Sequence, residues 1–225
     1  MSKTTILLGS ASTRAFRCLW MLEELGLSYQ HLPEAPQSDQ VLQYNPLGKI
    51  PVLIEKTDNG TTFSVYESSA ICTYLGDQHQ QLVPPSGSQA RAWHDQTLSV
   101  LTTELDAQGL WIHRKHDSMG HVFGDIPPAV AHARKYFHKT HRALIQQLLL
   151  DNHSGEYLMG SDFTIADIFY VHCLEWSKMI GWSDKWESNP AVMDYLKLCQ
   201  GRPAYQRAKA IRKAEQRGEI SNSKL

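Results

Sequence analysis

Four cysteines, Cys18, Cys72, Cys173 and Cys199, are the first side chains to test for chemistry. No two of them form a C-x-x-C pair, so neither a zinc site nor a dithiol redox centre is indicated. Each stands among apolar residues at helical spacing, which points to buried, reduced thiols and a reducing compartment. Imidazoles are abundant, at eleven in the chain; His113, His116 and His121 cluster, as do His138 and His141. No cysteine or carboxylate recurs beside them at ligand spacing. The first cluster also falls at a helix end and loop. They read as solvated histidines, and no metal is expected. A run of hydroxyls, Gly9-Ser10-Ala11-Ser12-Thr13-Arg14, follows a short apolar segment. Ser12 or Thr13 can cap a helix starting there by accepting from its first free N–H groups. Thr164-Ile165-Ala166-Asp167 has the form of a capping box, with Asp in place of Glu and Phe163 and Ile168 as its hydrophobic staple. Asp167 is therefore read as a folding signal rather than as a reactive carboxylate.

The elements that must position these residues follow from periodicity. Thr4–Leu8 is a short β-rich run. Ser12–Gly26 reads as a helix, with Ala15, Cys18, Leu19, Leu22 and Leu25 in an apolar stripe and Gly26 as its end. Ser28–Leu32 is a second strand, so a parallel βαβ unit opens the chain. Ser38–Tyr44 forms a short helix before Asn45-Pro46. Pro51–Ile54 and Thr61–Val65 are strands joined through Asp58-Asn59-Gly60, where Asn-Gly signals a hairpin because both residues accept positive φ. Glu67–Gly76 is a helix. The order is β-α-β-α-β-β-α.

A linker with two prolines and a glycine follows, Leu82-Val83-Pro84-Pro85-Ser86-Gly87-Ser88. No strand is expected beyond it. Gln89–His113, Pro128–Asp151, Thr164–Ile180, Pro190–Cys199 and Ala204–Ala214 read as helices. Thr164–Ile180 is apolar nearly all round and belongs in a core. The last ten residues are polar and expected to fray. The division is residues 1–80, a linker at 81–88, and an all-helical domain at 89–225. Charge is balanced, 22 Lys+Arg against 23 Asp+Glu, which gives no basic face for nucleic acid. No apolar run approaches the roughly 20 residues needed to span a bilayer. Ile6-Leu7-Leu8 is too short for a signal-peptide core. A cytoplasmic protein, with no membrane association, is expected.

Four segments in register now carry a resemblance. They are Asn45-Pro46-Leu47-Gly48-Lys49-Ile50-Pro51-Val52-Leu53, then Tyr66-Glu67-Ser68-Ser69-Ala70-Ile71, then Gly160–Asp167, and Leu22-Glu23-Glu24-Leu25-Gly26-Leu27 at the end of the first helix. Together they make the chain resemble the soluble glutathione transferase superfamily across both halves. The resemblance implies an α/β thioredoxin-like N-terminal domain plus an all-α C-terminal helical domain. It also implies a cis bond before Pro51. Glutathione, the co-substrate, would lie extended along the edge presented by Ile50, paired through its cysteinyl backbone. The N-terminus of the helix at Glu67-Ser68, with the Ser68 hydroxyl, would hold the γ-glutamyl carboxylate. Glu67 would accept from the ammonium, and Lys49 would meet the glycyl carboxylate.

The reactive species would be the thiolate. A thiol has a pKa of about 8.5, and bringing it to about 6.5 requires about 2.7 kcal/mol. One hydrogen bond to a charged acceptor contributes about 1.5–3 kcal/mol, and a helix N-terminus adds about 0.3–1. A single hydroxyl donor near the first helix is enough. The family's tyrosine solution is missing, since the first tyrosine is Tyr29; the cysteine solution is opposed, since Cys18 lies inside the helix. Ser10 is the first choice, four residues before Arg14 as in theta- and phi-like serine-type transferases. Ser12 and Thr13 are the alternatives, and Arg14 would raise the local potential. The resemblance further implies a small electrophilic substrate, organic hydroperoxide reduction as a second activity, a detoxification role and a homodimer. Trp111, His113 and Tyr170 are not taken as catalytic. The competing reading is a non-catalytic glutathione-transferase-like interaction module; a thiol-disulfide oxidoreductase is the third.

Overall fold

The structure, a computed structural model, describes residues 3–146 and 156–220. Contacts divide the chain into two units, Met1–Gln81 with Gln200–Leu225, and Leu82–Cys199. The first contains β1 (Lys3–Leu8), α1 (Ala15–Glu24), β2 (Gln30–Leu32), α2 (Asp39–Tyr44), β3 (Val52–Thr57), β4 (Thr62–Tyr66) and α3 (Ser68–His79). This is the expected order. The sheet runs β2-β1-β3-β4, with β1 parallel to β2 and the other pairs antiparallel. Alternation sends Ile6, Leu8, Val52 and Ile54 to one face, where Leu32 and Val41 complete a buried cluster. The β3–β4 turn is tighter in its demands than expected: of Asn59 and Gly60 only Gly60 takes positive φ, at 84°. Asn59 instead uses its side chain, accepting from the Thr61 N–H at 3.0 Å as an Asx turn does.

In the second unit no ladder of strands forms among the described residues. α4 (Gln89–Val100) continues through π-helical turns at Leu101–Leu110 into α5 (Trp111–His113), then through further π-helical turns at Arg114–Ser118. A four-residue α6 (Gly120–Phe123), which periodicity does not reveal, precedes α7 (Pro127–Ile145), α8 (Ile165–Met179) and α9 (Pro190–Gln200). Positions 147–151 of the expected Pro128–Asp151 helix lie outside the described residues, as do 221–225 of the polar tail. The capping box at Thr164 and Asp167 closes. Every residue from Ile165 to Leu174 is buried.

The reading of the histidines as solvated is corrected here. His141 and His113 are buried. The His141 ring stacks at 5.7 Å on Phe137 and 5.6 Å from Tyr170, whose hydroxyl bonds Nε2 at 2.8 Å. Burial, helped by the neighbouring His138, pushes the His141 ring down to about 3. Burial also lowers His113, partly offset by Asp117. His141 is a neutral core residue held by the aromatic packing of α7, and His113 packs edge-on against Trp182 at 5.3 Å.

The last helix, α10 (Pro203–Gln216), packs on α1 and so falls in the first unit, where the sequence division places it with the helical domain. That packing explains why α1 is buried from Ala15 through Met21 all round, not on one stripe. Tyr205 meets Phe16 and Trp20 edge-on, at 5.9 and 4.9 Å. The Arg212 guanidinium lies 4.0 Å over the Phe16 ring. Arg202 forks onto Glu24 at 2.7 and 2.8 Å, and Arg207 reaches Glu23 at 2.6 Å. α1 also starts later than expected, at Ala15, after a turn in which the Thr13 N–H donates to the Ser10 carbonyl at 3.0 Å.

Candidate functional site

Sheet register assembles the site. Leu8 pairs with Leu32 on one side and Val52 on the other, and Val52 pairs with Tyr66. β1 and β4 finish, and β3 begins, at that one row. Gly9-Ser10, Ile50-Pro51 and Glu67-Ser68 are therefore delivered to the same end of the sheet, beyond the carboxyl end of β1, the usual place for a ligand in an open α/β sheet. Gly9 permits the close approach. Its φ is 127°, and a methyl group there would come within 2.9 Å of Ile50 Cβ.

The Ile50–Pro51 peptide is cis. Ile50 itself is half-buried and Pro51 buried, outside the β3 ladder at its N-terminal end. Asn45 braces this turn, its side-chain amide donating to the Lys49 carbonyl at 2.8 Å and its Oδ1 accepting from the Leu47 N–H at 3.0 Å. The Lys49 residue is exposed. Ser68 is the first residue of α3 and is buried. Behind it lies Arg17, only 1% exposed, whose guanidinium donates to Ser68 Oγ at 3.4 Å. A fixed positive charge thus backs a helix N-terminus and a hydroxyl, a donor set suited to a carboxylate. Glu67 is exposed and holds φ at 71°, a conformation that favours glycine. Such strain in a non-glycine residue is often retained where a side chain must face a ligand.

The three hydroxyls near α1 are not equivalent. Ser10 gives its only hydrogen to Oε1 of Glu215, on α10, and accepts from the Ser12 N–H at 3.1 Å. The other Glu215 oxygen accepts from the Ala11 N–H at 2.8 Å. Thr13 donates to the Ser10 carbonyl at 2.7 Å and accepts from the Ala15 N–H at 3.2 Å, which is a cap's work. Ser12 is exposed, accepts from the Gln216 side chain at 3.2 Å, and donates to no described group. Arg14, half-buried, is the residue immediately before α1. His31 borders the cluster. Its Nε2 is 2.9 Å from the Gly9 carbonyl and 3.9 Å from Glu215, and its Nδ1 is buried with no hydrogen-bond partner among the described residues.

With the geometry in place, the family follows from two matches. Residues 11–78 fit the family model for the glutathione S-transferase N-terminal domain, and residues 127–198 that for the C-terminal domain. The chain belongs to the glutathione transferase superfamily. The glutathione S-transferase hmp2 of Hypomyces subiculosus is 29% identical, over 91% of this chain and 97% of that one. Elongation factor 1-gamma 3 of Oryza sativa is also 29% identical, over 71% of this chain but only 37% of its own length. Among solved structures, the glutathione transferase URE2P8 of Phanerochaete chrysosporium, crystallised with oxidized glutathione, superposes with a TM-score of 0.77 at 22% identity. That likeness covers 96% of this chain and 98% of the other and bears on the fold.

In this glutathione transferase fold Cys18 is fully buried, and burial pushes its thiol well up, with Cys72 beside it adding to the rise. A thiol held neutral in apolar surroundings is a poor nucleophile. Among the described residues no group of three His, Cys, Asp or Glu side chains could hold a metal ion, and no helix is long and apolar enough to cross a membrane. Tyr170 is a core residue bonded to His141. Three residues of the site escape short-range reading: Arg17, His31 and Glu215. Arg17 leaves one trace, a charged residue next to the apolar stripe of α1. Glu215 leaves none, since it meets Ser10 across 205 positions of chain.

Proposed function

We propose that the protein transfers glutathione, as its thiolate, to small electrophilic organic compounds, with organic hydroperoxides as a second acceptor class. The observation that carries this reading is the convergence of the Ile50 main chain, the Ser68–Arg17 donor pair and the Ser10 hydroxyl at one end of the sheet. The Ile50 edge pairs with the cysteinyl backbone, and Pro51 fixes that edge. Ser68 and the α3 N-terminus take the γ-glutamyl carboxylate, Glu67 takes the ammonium, and Lys49 meets the glycyl carboxylate. The thiolate is received at Ser10, with Ser12 and Thr13 as alternatives and Arg14 in support. Cytoplasmic location, a homodimer and a part in detoxification belong to the same reading and rest on family membership.

The buried Cys18, inside α1, opposes the thiol-disulfide oxidoreductase reading. One observation favours a second reading, the non-catalytic interaction module: Ser10 spends its hydrogen on Glu215, and an elongation factor subunit is among the relatives. Calorimetric titration with glutathione, joined to a conjugation assay on wild type, Ser10→Ala and Ser12→Ala, separates the two. Transferase activity predicts binding, and a loss of turnover in one hydroxyl variant of about 10- to 100-fold, the value of one charged hydrogen bond. Absence of binding would leave the module. Binding with turnover intact in both variants would move activation to Thr13.

A further inference from the structure

A residue outside those expected from sequence is Glu215, its carboxylate seated on the Ser10 and Ala11 donors in the turn before α1. Its two oxygens each take one donor, the Ser10 O–H and the Ala11 N–H. We infer that Glu215 is an internal anionic ligand of this donor pair, and that the glutathione thiol must displace it for its sulfur to be held there as the thiolate. The inference rests on the glutathione reading and adds to it a residue that restrains the reaction.

Three observations lead to it. Ser10 Oγ already accepts from the Ser12 N–H, so its single hydrogen is directed at Glu215 and is unavailable to sulfur while that bond stands. A carboxylate and a thiolate are both monoanions that seek the same donors, and two such charges in contact oppose each other's ionisation. Finally, His31 supplies no compensating hydrogen bond: its Nε2 is engaged with the Gly9 carbonyl and lies 3.9 Å from Glu215, beyond hydrogen-bond reach. Gln216, the next residue along α10, is neutral and bonds Ser12.

Release does not require α10 to leave. The helix is held upstream by Arg202 on Glu24, Arg207 on Glu23 and Tyr205 against Trp20. Glu215 lies in its last turn, and its side chain is 12% exposed. Rotation about its own side-chain bonds takes the carboxylate to water, still ionised. In the exchange the glutathione S–H bond breaks, the electron pair stays on sulfur, and the proton passes to water. The Ser10 O–H and Ala11 N–H then donate to the thiolate that has taken the carboxylate's place.

The test is titration of wild type, Glu215→Ala and Glu215→Gln with reduced glutathione and with S-methylglutathione at one pH, with thiolate absorbance read in the same samples. If Glu215 fills the donor pair about nine-tenths of the time, its removal tightens reduced glutathione about tenfold, as for any site freed from a competing state. The ionised fraction of bound thiol rises with it. S-methylglutathione has no anionic sulfur, so its affinity stays unchanged. Glu215→Gln keeps the side chain's size and, through its single amide oxygen, only one of the two acceptor roles without the charge, which guards against a folding defect, and it tightens binding to a smaller degree. Unchanged or weaker glutathione binding in Glu215→Ala, with S-methylglutathione bound normally, overturns the inference alone. Failure of every form to bind either ligand overturns the glutathione reading and this inference with it.

Discussion

Asp167 offers the sharpest test of how the helical unit is specified. Its carboxylate is completely buried, and it accepts four hydrogen bonds. Oδ1 takes the Leu158 N–H and the Tyr195 O–H, both at 2.9 Å. Oδ2 takes the Thr164 N–H at 2.7 Å and the Thr164 hydroxyl at 3.1 Å. Burial pushes the carboxyl above its ordinary range, while these donors pull the other way. Desolvation thus consumes much of what the donors give. Removing the charge nonetheless leaves the donors facing nothing suitable. In Asp167→Asn one oxygen becomes an NH2 group. The Thr164 and Tyr195 hydroxyls can rotate and accept from it, but a backbone N–H cannot. Whichever way the amide is turned, the N–H of Leu158 or of Thr164 is orphaned, at a cost of about 1–3 kcal/mol, and the remaining bonds fall from charged to neutral strength, about 1 kcal/mol more. The expected loss is about 2–4 kcal/mol, a large part of an ordinary stability of about 5–15. Urea unfolding followed by circular dichroism would show the midpoint falling at constant slope. In thermal melts the midpoint drops by about 4–16 °C for a chain of this size. A loss below about 1 kcal/mol would mean that the four bonds do not share one carboxylate as described, and the argument from orphaned donors would fail.

The other predictions concern acid stability and the site. His141 has a folded value of about 3 against an ordinary 6.5, so in that window the unfolded chain holds the extra proton. Stability is fully present above the upper value and falls with acid by about 1.4 kcal/mol per pH unit until the lower one is passed. Urea unfolding across that range should show the slope, and His141→Gln, which keeps an acceptor for Tyr170, should flatten it. An equal slope in the variant would assign the acid lability elsewhere. Ser68→Ala should weaken glutathione binding about tenfold, one hydrogen bond's worth, without shifting the thiol's ionisation; a shift in ionisation would mean that Ser68 serves the sulfur. Gly9→Ala forces a side chain into positive φ and to within 2.9 Å of Ile50 Cβ, and should cost about 1–3 kcal/mol in urea while loosening glutathione. Unchanged stability would show that β1 and Ile50 do not need this approach.

Much of this was legible in short stretches of sequence, and the reason is physical. The β-rich run at Thr4–Leu8, the Asp58-Asn59-Gly60 turn and the Thr164–Asp167 box act over fewer than ten residues, where chain connectivity restricts the geometry. The Asn45–Leu53 and Tyr66–Ile71 segments were legible through resemblance to the glutathione transferase superfamily. Boundaries were less legible. α1 begins at Ala15 rather than Ser12 because Thr13 bonds the Ser10 carbonyl and spends those residues on a turn. His113 and His141 were misread because imidazole is polar in water, yet a ring set edge-on to Trp182 or stacked on Phe137 packs as an aromatic core group.

What could not be read were the pairings between distant segments, and these decide the chemistry. A hydroxyl's value as a donor depends on where its one hydrogen points, and for Ser10 that is fixed by a carboxylate on the last helix. The place of α10 was hinted at only by what α1 has in excess. Phe16, Trp20 and Met21 lie off its apolar stripe and are buried all the same. A helix apolar on every side demands a second partner beyond the sheet. Tyr205 and Ala208 of α10 provide it, and the same docking carries Glu215 to Ser10. The packing that completes the first unit's core therefore also sets a carboxylate against the Ser10 hydroxyl.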